Sequence, residues 1–188
     1  MVTEANPACR STIAGGFSPK ACLLWISFLN SNIRYFEWGS GFTTKAADNI
    51  AMRVTSIEGS RTWYNKMREH TFSNRTTLHY VDIGPTGSFS VPKDPTKGAN
   101  YIGAIKSTQD IVLVDGRWRV ACAISALPFI APTGRLMLHD FGRASYRSVL
   151  DFYTKETEVD GLAVFIPKSN VSMRKLKNQH IRSRHDSS

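Results

Sequence analysis

The feature that most constrains the fold is a repeated alternation of short β-prone runs with helix-like stretches. Residues 110–114 are nearly continuously apolar, which is typical of a strand buried on both faces of a sheet. The predicted strands are 33–37, 53–57, 78–81, 110–114 and 135–138, and the predicted helices are 19–29, 43–50, 61–70, 120–130 and 144–154. This alternation predicts an α/β protein with a mainly parallel sheet and helices on both faces.

The end of the predicted domain departs from this alternation. Residues 156–159 and 162–166 are strand-like and are separated by Asp160-Gly161, a strong signal for a β-hairpin. A hairpin makes one strand antiparallel to its neighbour. The sequence therefore predicts a Rossmann-like, doubly wound sheet that is parallel apart from one antiparallel strand.

Charge and length define the predicted organisation. The chain has 188 residues, which suits one domain, and 24 Lys and Arg against 15 Asp and Glu. We predict an extended lead-in over residues 1–19, the domain over 20–167, and a basic, flexible tail over 168–188. The tail holds six Lys or Arg residues against one Asp and has no aromatic residue. Two roles stay open for it: a solubilising tail, or one that contacts RNA, anionic lipid or an acidic partner.

The apolar runs and the cysteines predict a cytoplasmic location. The longest apolar run, 21–29, is too short to span a bilayer, and the polar residues 30–32 that follow do not form a signal-peptide cleavage site. Cys9, Cys22 and Cys122 are odd in number and form no Cys-x-x-Cys pair, so we expect reduced thiols.

Acidic residues stand at or just after the predicted strand ends, where parallel sheets bind ligands. They are Glu37, Glu58, Asp82, Asp115 and Asp140. Gly39 and Gly41 would let the backbone approach a ligand closely beside the N-terminus of the next helix. Glu58 stands where a carboxylate can accept both hydroxyls of a ribose, although capping of the following helix is the alternative.

Four motifs carry a resemblance to a known family. They are Tyr-Phe-Glu-Trp-Gly-Ser-Gly at 35–41, Ser-Ile-Glu at 56–58, Val-Asp-Gly-Arg at 114–117 and Leu-His-Asp at 138–140. Over residues 33–167 the chain resembles the class I S-adenosylmethionine-dependent methyltransferases. It is most similar to small methyltransferase-like proteins with the E-W-G-S-G and V-D-G-R motifs. The resemblance implies a seven-stranded sheet of order 3-2-1-4-5-7-6.

The resemblance also implies a binding site for S-adenosylmethionine. It implies that Glu37, Gly39 and Gly41 surround the methionine part, Glu58 the ribose, and Asp82 with Ile83 the adenine edge. The predicted cofactor site further includes Trp38, Ser40, Gly59 and Asp115. Trp38 and Tyr101 are the two candidates for a wall of the pocket.

Three residues are the candidates for proton handling at a methyl acceptor: Asp115, His139 and Asp140. Because neighbouring strands lie about 4.8 Å apart, the two carboxylates can converge, and they would either share a proton or bind a cation. They resemble two magnesium ligands of the metal-dependent catechol-type O-methyltransferases, but the third ligand position holds Phe141. We therefore expect no metal and take His139 as the general base, with magnesium at Asp115 and Asp140 as the alternative.

Arginines cluster at the same predicted edge. Four guanidinium groups, those of Arg117, Arg119, Arg143 and Arg147, would suit an acceptor that carries a carboxylate or phosphate. Helical periodicity can turn Arg119 and Arg147 to solvent, so the predicted catalytic site includes only Arg117 and Arg143. Cys122 lies in an apolar helical stretch, where a buried, inert thiol is expected rather than a nucleophile.

The favoured function is methyl transfer to an oxygen of a small or sugar-like acceptor. A nicotinamide dehydrogenase would need a third glycine where Thr44 stands, and an amino-methyltransferase of nucleobases would need a Pro-Pro turn at 115–118. The rival is a non-catalytic, Rossmann-like module that contacts RNA or an acidic partner through its tail. The turn-rich residues 83–103 are a predicted lid, because long loops in compact domains are usually functional.

Overall fold

The computed structural model describes Cys9, residues 16–88 and residues 91–171. Its centre is a seven-stranded sheet of order β3-β2-β1-β4-β5-β7-β6, which confirms the predicted topology. The strands are β1 (Arg34–Trp38), β2 (Arg53–Glu58), β3 (Thr76–Tyr80), β4 (Gln109–Val114), β5 (Ile130–Leu138), β6 (Tyr153–Val159) and β7 (Leu162–Pro167). Strand β7 is antiparallel to both of its neighbours, and the other neighbouring pairs are parallel.

Helices cover both faces of the sheet. They are α1 (Pro19–Ile26), α2 (Phe42–Ile50), α3 (Arg61–Arg68), α4 (Ala99–Ile102) and α5 (Arg119–Ala126), with 3₁₀ helices at Pro95–Gly98, Leu127–Phe129 and Ala144–Asp151. Helix α1 begins as expected, because Ser18 Oγ accepts a hydrogen bond from the Ala21 N–H and Pro19 occupies the first turn.

Two apolar cores, one on each face, hold the helices to the sheet. One core contains Trp25 of α1 and Tyr35 of β1, and the other contains Trp38 of β1 and Cys122 of α5. The side chains of β1 alternate between the two cores because successive residues of a strand point to opposite faces. The central strands are therefore buried on both sides, as their apolar sequences predict.

The strand register places the ends of β1, β4 and β5 side by side. Trp38 of β1 pairs with Val114 of β4, and Val114 pairs with Leu138 of β5. The residues that follow these three positions therefore emerge at one edge of the sheet. This edge carries the candidate site.

Strand β5 begins earlier than the sequence predicts. Pro132 and Gly134, which stand between the predicted helix 120–130 and the predicted strand 135–138, lie within Ile130–Leu138. The ladder between β4 and β5 is irregular between Gln109 and Ile111, and such an irregularity accommodates a proline that has no N–H to donate. Helix α5 accordingly ends at Ala126 instead of near residue 130.

The predicted lid contains regular structure. The segment 83–103 includes the 3₁₀ helix Pro95–Gly98 and helix α4, and Tyr101 and Ile102 of α4 are buried. Its C-terminal part is therefore packed into the domain, and mobility of the rest stays a prediction.

The cysteine prediction is wrong for two of the three residues. Cys9 and Cys22 form a disulfide, with 5.6 Å between their Cα atoms, whereas Cys122 is free and buried. The two partners stand 13 residues apart in no recognisable motif, so only the three-dimensional approach of the lead-in to α1 reveals the pair.

Parts of the domain prediction lie outside the described residues. These parts are most of the lead-in and residues 172–188 of the tail. In the part of the chain that the structure describes, no helix has the length and apolar character to cross a membrane.

Candidate functional site

A cavity of about 150 Å³ opens at the edge of the sheet formed by the ends of β1, β2 and β4. Most of its wall consists of residues predicted from the sequence: Gly39, Ser40, Glu58, Gly59, Ile83, Tyr101, Asp115 and Arg117. The sequence analysis missed three further lining residues: Ser60, Trp63 and Gly116. The structure thus brings together the glycine turn after β1, the acidic turn after β2 and the turn after β4.

Glycines allow the turns after β1 and β4 to come into contact. Gly39 has a φ of +93°, and a Cβ atom there would lie 2.9 Å from the backbone of Asp115. A Cβ atom at Gly116 would lie 2.0 Å from the Tyr101 hydroxyl. A larger residue at either position would clash with these groups and force the two turns apart.

Glu58 is held in a fixed orientation at the cavity wall. Its Oε2 accepts hydrogen bonds from Ser40 N (3.1 Å) and Ser40 Oγ (2.7 Å), and its Oε1 accepts one from Ser60 N (2.7 Å). Burial raises the pKa of this carboxyl. The carboxylate is therefore preorganised as a hydrogen-bond acceptor for a ligand hydroxyl.

Trp63 covers the glycine turn from the first turn of α3. Its Nε1 donates to Ser40 O at 2.7 Å, and the side chain remains partly exposed at the mouth of the cavity. A signal for this residue existed in the sequence, because an aromatic residue soon after a strand-end carboxylate is placed to meet a ligand held by that carboxylate.

Glu37 does not line the cavity, which corrects its predicted place around the cofactor. The side chain is fully buried and accepts hydrogen bonds from the hydroxyls of Tyr35, Thr43, Thr44 and Ser56. Burial raises its pKa, although the four hydroxyls favour the charged form. Glu37 therefore ties β1 to β2 and α2 beneath the glycine turn and supports that turn from the interior.

Three other predicted cofactor residues also lie outside the cavity lining: Trp38, Gly41 and Asp82. Trp38 is fully buried and donates from Nε1 to Tyr101 O at 2.7 Å, so it supports α4. Asp82 is exposed and accepts from Gly84 N at 2.9 Å, and this bond lowers its pKa. Of the predicted adenine pair, the cavity lining includes Ile83 only.

The predicted proton-handling residues do come together. His139 Nδ1 lies 2.9 Å from Asp115 Oδ1 and 4.0 Å from Asp140 Oδ1. The imidazole is largely buried against the ring of Phe17, with 4.9 Å between ring centroids, a contact that the sequence did not indicate. Because a carboxylate can only accept, Nδ1 carries the proton in this pair and Nε2 is the nitrogen left to act as a base.

Arg119 is the principal residue that the sequence analysis excluded. The sequence left open whether its side chain faces solvent, and the structure shows that it is 5% exposed. Its Nη2 lies 3.1 Å from Asp115 Oδ1 and its Nη1 lies 3.1 Å from Asp140 Oδ2. The same guanidinium donates to the carbonyls of Gly116 (3.0 Å) and His139 (2.6 Å). No local pattern indicated this pairing, because Asp115 lies in the turn before α5 and Arg119 is the first residue of that helix.

This arrangement does not fit a magnesium site at Asp115 and Asp140. The Arg119 guanidinium lies between the two carboxylates and pairs with both, so it occupies the position that a bridging cation would need. In the described part of the chain, no group of three or more His, Cys, Asp or Glu side chains is arranged to hold a metal ion. An arginine neutralises these acids in place of a divalent cation.

The remaining arginines differ in their partners. Arg143 Nη2 pairs with Asp140 Oδ2 at 2.9 Å, and Arg147 lies over the ring of Phe141, with 4.9 Å from its Cζ to the centroid. Arg117 lines the cavity. Of the two predicted site arginines, Arg117 therefore lies at the cavity and Arg143 lies at the adjoining acidic cluster, which consists of Asp115 and Asp140.

Cys122 is buried in α5, as expected. Its Sγ donates to Arg117 O at 3.3 Å, and burial raises its thiol pKa well above the usual value. A thiol with a raised pKa is a poor nucleophile, which supports the prediction of an inert residue.

Structural comparison gives a close match over the whole chain, whereas no protein-family model and no curated protein match the sequence. A methyltransferase-like protein from Silicibacter pomeroyi DSS-3 is 25% identical, with a TM-score of 0.72 over 99% of this chain and 97% of that chain. A TehB-like SAM-dependent methyltransferase from Corynebacterium glutamicum ATCC 13032 is 13% identical, with a TM-score of 0.51 over 86% and 91%. Together with the strand order, these similarities show that the chain has the class I S-adenosylmethionine-dependent methyltransferase fold.

Proposed function

We propose that the protein transfers a methyl group from S-adenosylmethionine to an oxygen atom of a small or sugar-like acceptor. The observation that carries this proposal is the juxtaposition of Glu58, the glycine turn at Gly39 and the Asp115-Gly116 turn around one cavity. The similarity to methyltransferase-like proteins supports the type of reaction.

The cavity fits this cofactor. When bound, S-adenosylmethionine supplies a methyl group activated by a sulfonium ion. Glu58 would accept hydrogen bonds from the ribose hydroxyls, and Gly39 would admit the ligand close to the backbone. A Cβ atom at Gly59 would lie 2.7 Å from Ile83 Cδ1, so these two residues form a tight apolar wall that suits the adenine ring.

The acid–base cluster suits an oxygen acceptor. A hydroxyl loses its proton as it is methylated, and His139 Nε2 is available to take that proton while Asp115 fixes the tautomer. Arg119 Nη2 also pairs with Asp115, at 3.1 Å from Oδ1. The residues therefore act as a base and its orienting carboxylate, and neither step requires a metal ion.

Calorimetry with S-adenosylmethionine and S-adenosylhomocysteine tests the cofactor assignment. We expect both to bind and expect EDTA to leave binding unchanged, and absence of binding would refute the proposal. The chemistry is then tested by transfer of labelled methyl groups to paired hydroxyl and amine acceptors. Asp115→Asn, Asp140→Asn and His139→Ala should each lower turnover, and near wild-type rates in all three would contradict the assigned roles.

A cytoplasmic location stays part of the proposal. Disulfides are rare in reducing compartments, so the Cys9–Cys22 bond argues against this location. Alkylation of thiols during cell lysis in a denaturant, which exposes the buried cysteines, provides the test. Modification of all three cysteines supports a reducing compartment, whereas protection of Cys9 and Cys22 until a reductant is added contradicts it.

A further inference from the structure

The guanidinium groups beside the cavity differ in their ion pairs. Arg119 pairs with the carboxylates of both Asp115 and Asp140, and Arg143 pairs with that of Asp140. Arg117 lines the cavity together with the carboxylates of Asp115 and Glu58. Within the described residues, it forms no ion pair with either of them. The Arg117 guanidinium is therefore a positive charge in the cavity wall that has no carboxylate of the described residues within ion-pair distance.

This charge is placed where water cannot fully compensate it. Arg117 is half-buried in the cavity wall, and its burial together with the nearby charges of Arg119 and Arg143 lowers its pKa. Burying a charge without a partner costs free energy. A ligand anion that paired with Arg117 would remove this cost.

The backbone holds Arg117 firmly in place. Its carbonyl accepts a hydrogen bond from Cys122 Sγ at 3.3 Å. The next residue, Trp118, has a left-handed conformation with a φ of 49°, although it is fully buried and donates from Nε1 to Pro95 O at 3.2 Å. Such a strained backbone persists only where its surroundings fix it, and it is typical of functional sites. Here it fixes the point from which the Arg117 side chain leaves the backbone.

We propose that Arg117 is the receptor for a carboxylate group of a ligand bound in this cavity. An arginine side chain presents a planar fork of N–H donors that matches a carboxylate. The inference rests on the proposed function and leaves two sources for the carboxylate: the amino-acid end of the cofactor, or an acceptor that is a hydroxy acid or a sugar acid.

The first experiment compares S-adenosylhomocysteine with 5′-methylthioadenosine, which lacks the amino-acid carboxylate. Calorimetry is carried out on the wild type, Arg117→Gln and Arg117→Lys. Arg147→Gln is the matched control, because it removes the same charge from an exposed residue outside the cavity. If the cofactor supplies the carboxylate, Arg117→Gln lowers the affinity for S-adenosylhomocysteine at least about tenfold. The same variant then leaves the affinity for 5′-methylthioadenosine unchanged. Arg117→Lys recovers part of the lost affinity for S-adenosylhomocysteine.

The second experiment addresses an acceptor carboxylate. The Nε–Hε resonance of Arg117 is followed by NMR while acetate replaces chloride at constant ionic strength, with and without S-adenosylhomocysteine. A saturable shift that persists in the S-adenosylhomocysteine complex identifies the acceptor as the source. A shift that S-adenosylhomocysteine abolishes identifies the cofactor.

The inference is overturned if Arg117→Gln leaves the affinity for S-adenosylhomocysteine unchanged and acetate produces no saturable shift in either state. Thermal melts show whether each variant is folded. If the wild type binds neither nucleoside, the proposed function fails, and the acetate titration of the ligand-free protein alone decides whether Arg117 receives a carboxylate.

Discussion

Arg119 and Asp115 form an ion pair across one turn at the start of α5, with 3.1 Å between Nη2 and Oδ1. The arginine also bonds to Asp140 and to the carbonyls of Gly116 and His139, so it joins the turn after β4 to the turn after β5. The acidic cluster thus carries its own cation. Arg143 adds a more exposed pair with Asp140, but Arg119 is the almost fully buried guanidinium that both carboxylates share.

Removal of this guanidinium should be costly. In Arg119→Met, Asp115 and Asp140 lose the buried guanidinium that they share, and we expect a loss of about 3 kcal/mol in the free energy of unfolding. Urea denaturation measures this loss. The matched control is Lys155→Met, which breaks a more exposed pair with Glu158 and should cost less than about 1 kcal/mol. Equal losses in the two variants would contradict a central role for Arg119.

Glu58→Ala should weaken S-adenosylhomocysteine binding by about 1.5 to 3 kcal/mol, the range for hydrogen bonds to a charged group. Because burial raises the pKa of Glu58, wild-type affinity should also fall as the pH drops through that raised value. Titration calorimetry checks both effects. Glu69→Ala removes an exposed glutamate just after α3 and serves as the control. Unchanged affinity in Glu58→Ala would refute the ribose assignment.

The sequence predicts the fold well because its strongest signals are local. Apolar runs, glycine turns and the Asp160-Gly161 hairpin signal are visible within a few residues and fix the element types. The strand order came from the resemblance of four motifs, since no local pattern specifies which strands are neighbours. The errors in the fold have a common cause. The start of β5 and the Cys9–Cys22 disulfide depend on pairing between distant segments.

The candidate site shows the same limit. Positions at strand ends predicted Glu58 and the grouping of Asp115, His139 and Asp140, because parallel strands bring their carboxyl ends to one edge. Side-chain direction could not be predicted in the same way. Glu37 points into the interior, and Arg119 turns back towards the acidic cluster. Both outcomes are determined by hydrogen-bond partners from other elements.

The predicted lid, residues 83–103, has two parts for which we expect different hydrogen exchange. The buried α4 (Ala99–Ile102) should resist hydrogen exchange with or without ligand, because Tyr101 and Ile102 pack into the core. Peptides from residues 83–88 and 91–98 should gain protection when S-adenosylhomocysteine and an acceptor are bound. Hydrogen-exchange mass spectrometry provides the comparison. Equal protection in the free and bound states would identify an ordinary surface loop.

Glu37 provides a test of the interior that is independent of any ligand. Its folded-state pKa is raised from a usual value of 4.5 because the side chain is fully buried. The folded protein therefore holds this proton more tightly than the unfolded chain does. The stability that Glu37 contributes is fully present below the unfolded pKa and is lost as the pH rises through the folded pKa.

Glu37→Gln cannot titrate at this position, so the wild type should lose stability relative to this variant as the pH rises from about 4 to about 8. Urea denaturation across this range measures the difference. Glu156→Gln is the control of opposite sign, because the pairing of Glu156 with Arg135 lowers its pKa. Relative to that variant, the wild type should gain stability as the pH rises. If the stability of the wild type relative to Glu37→Gln stays constant or increases as the pH rises, the four hydroxyls, and not burial, determine the ionisation of Glu37.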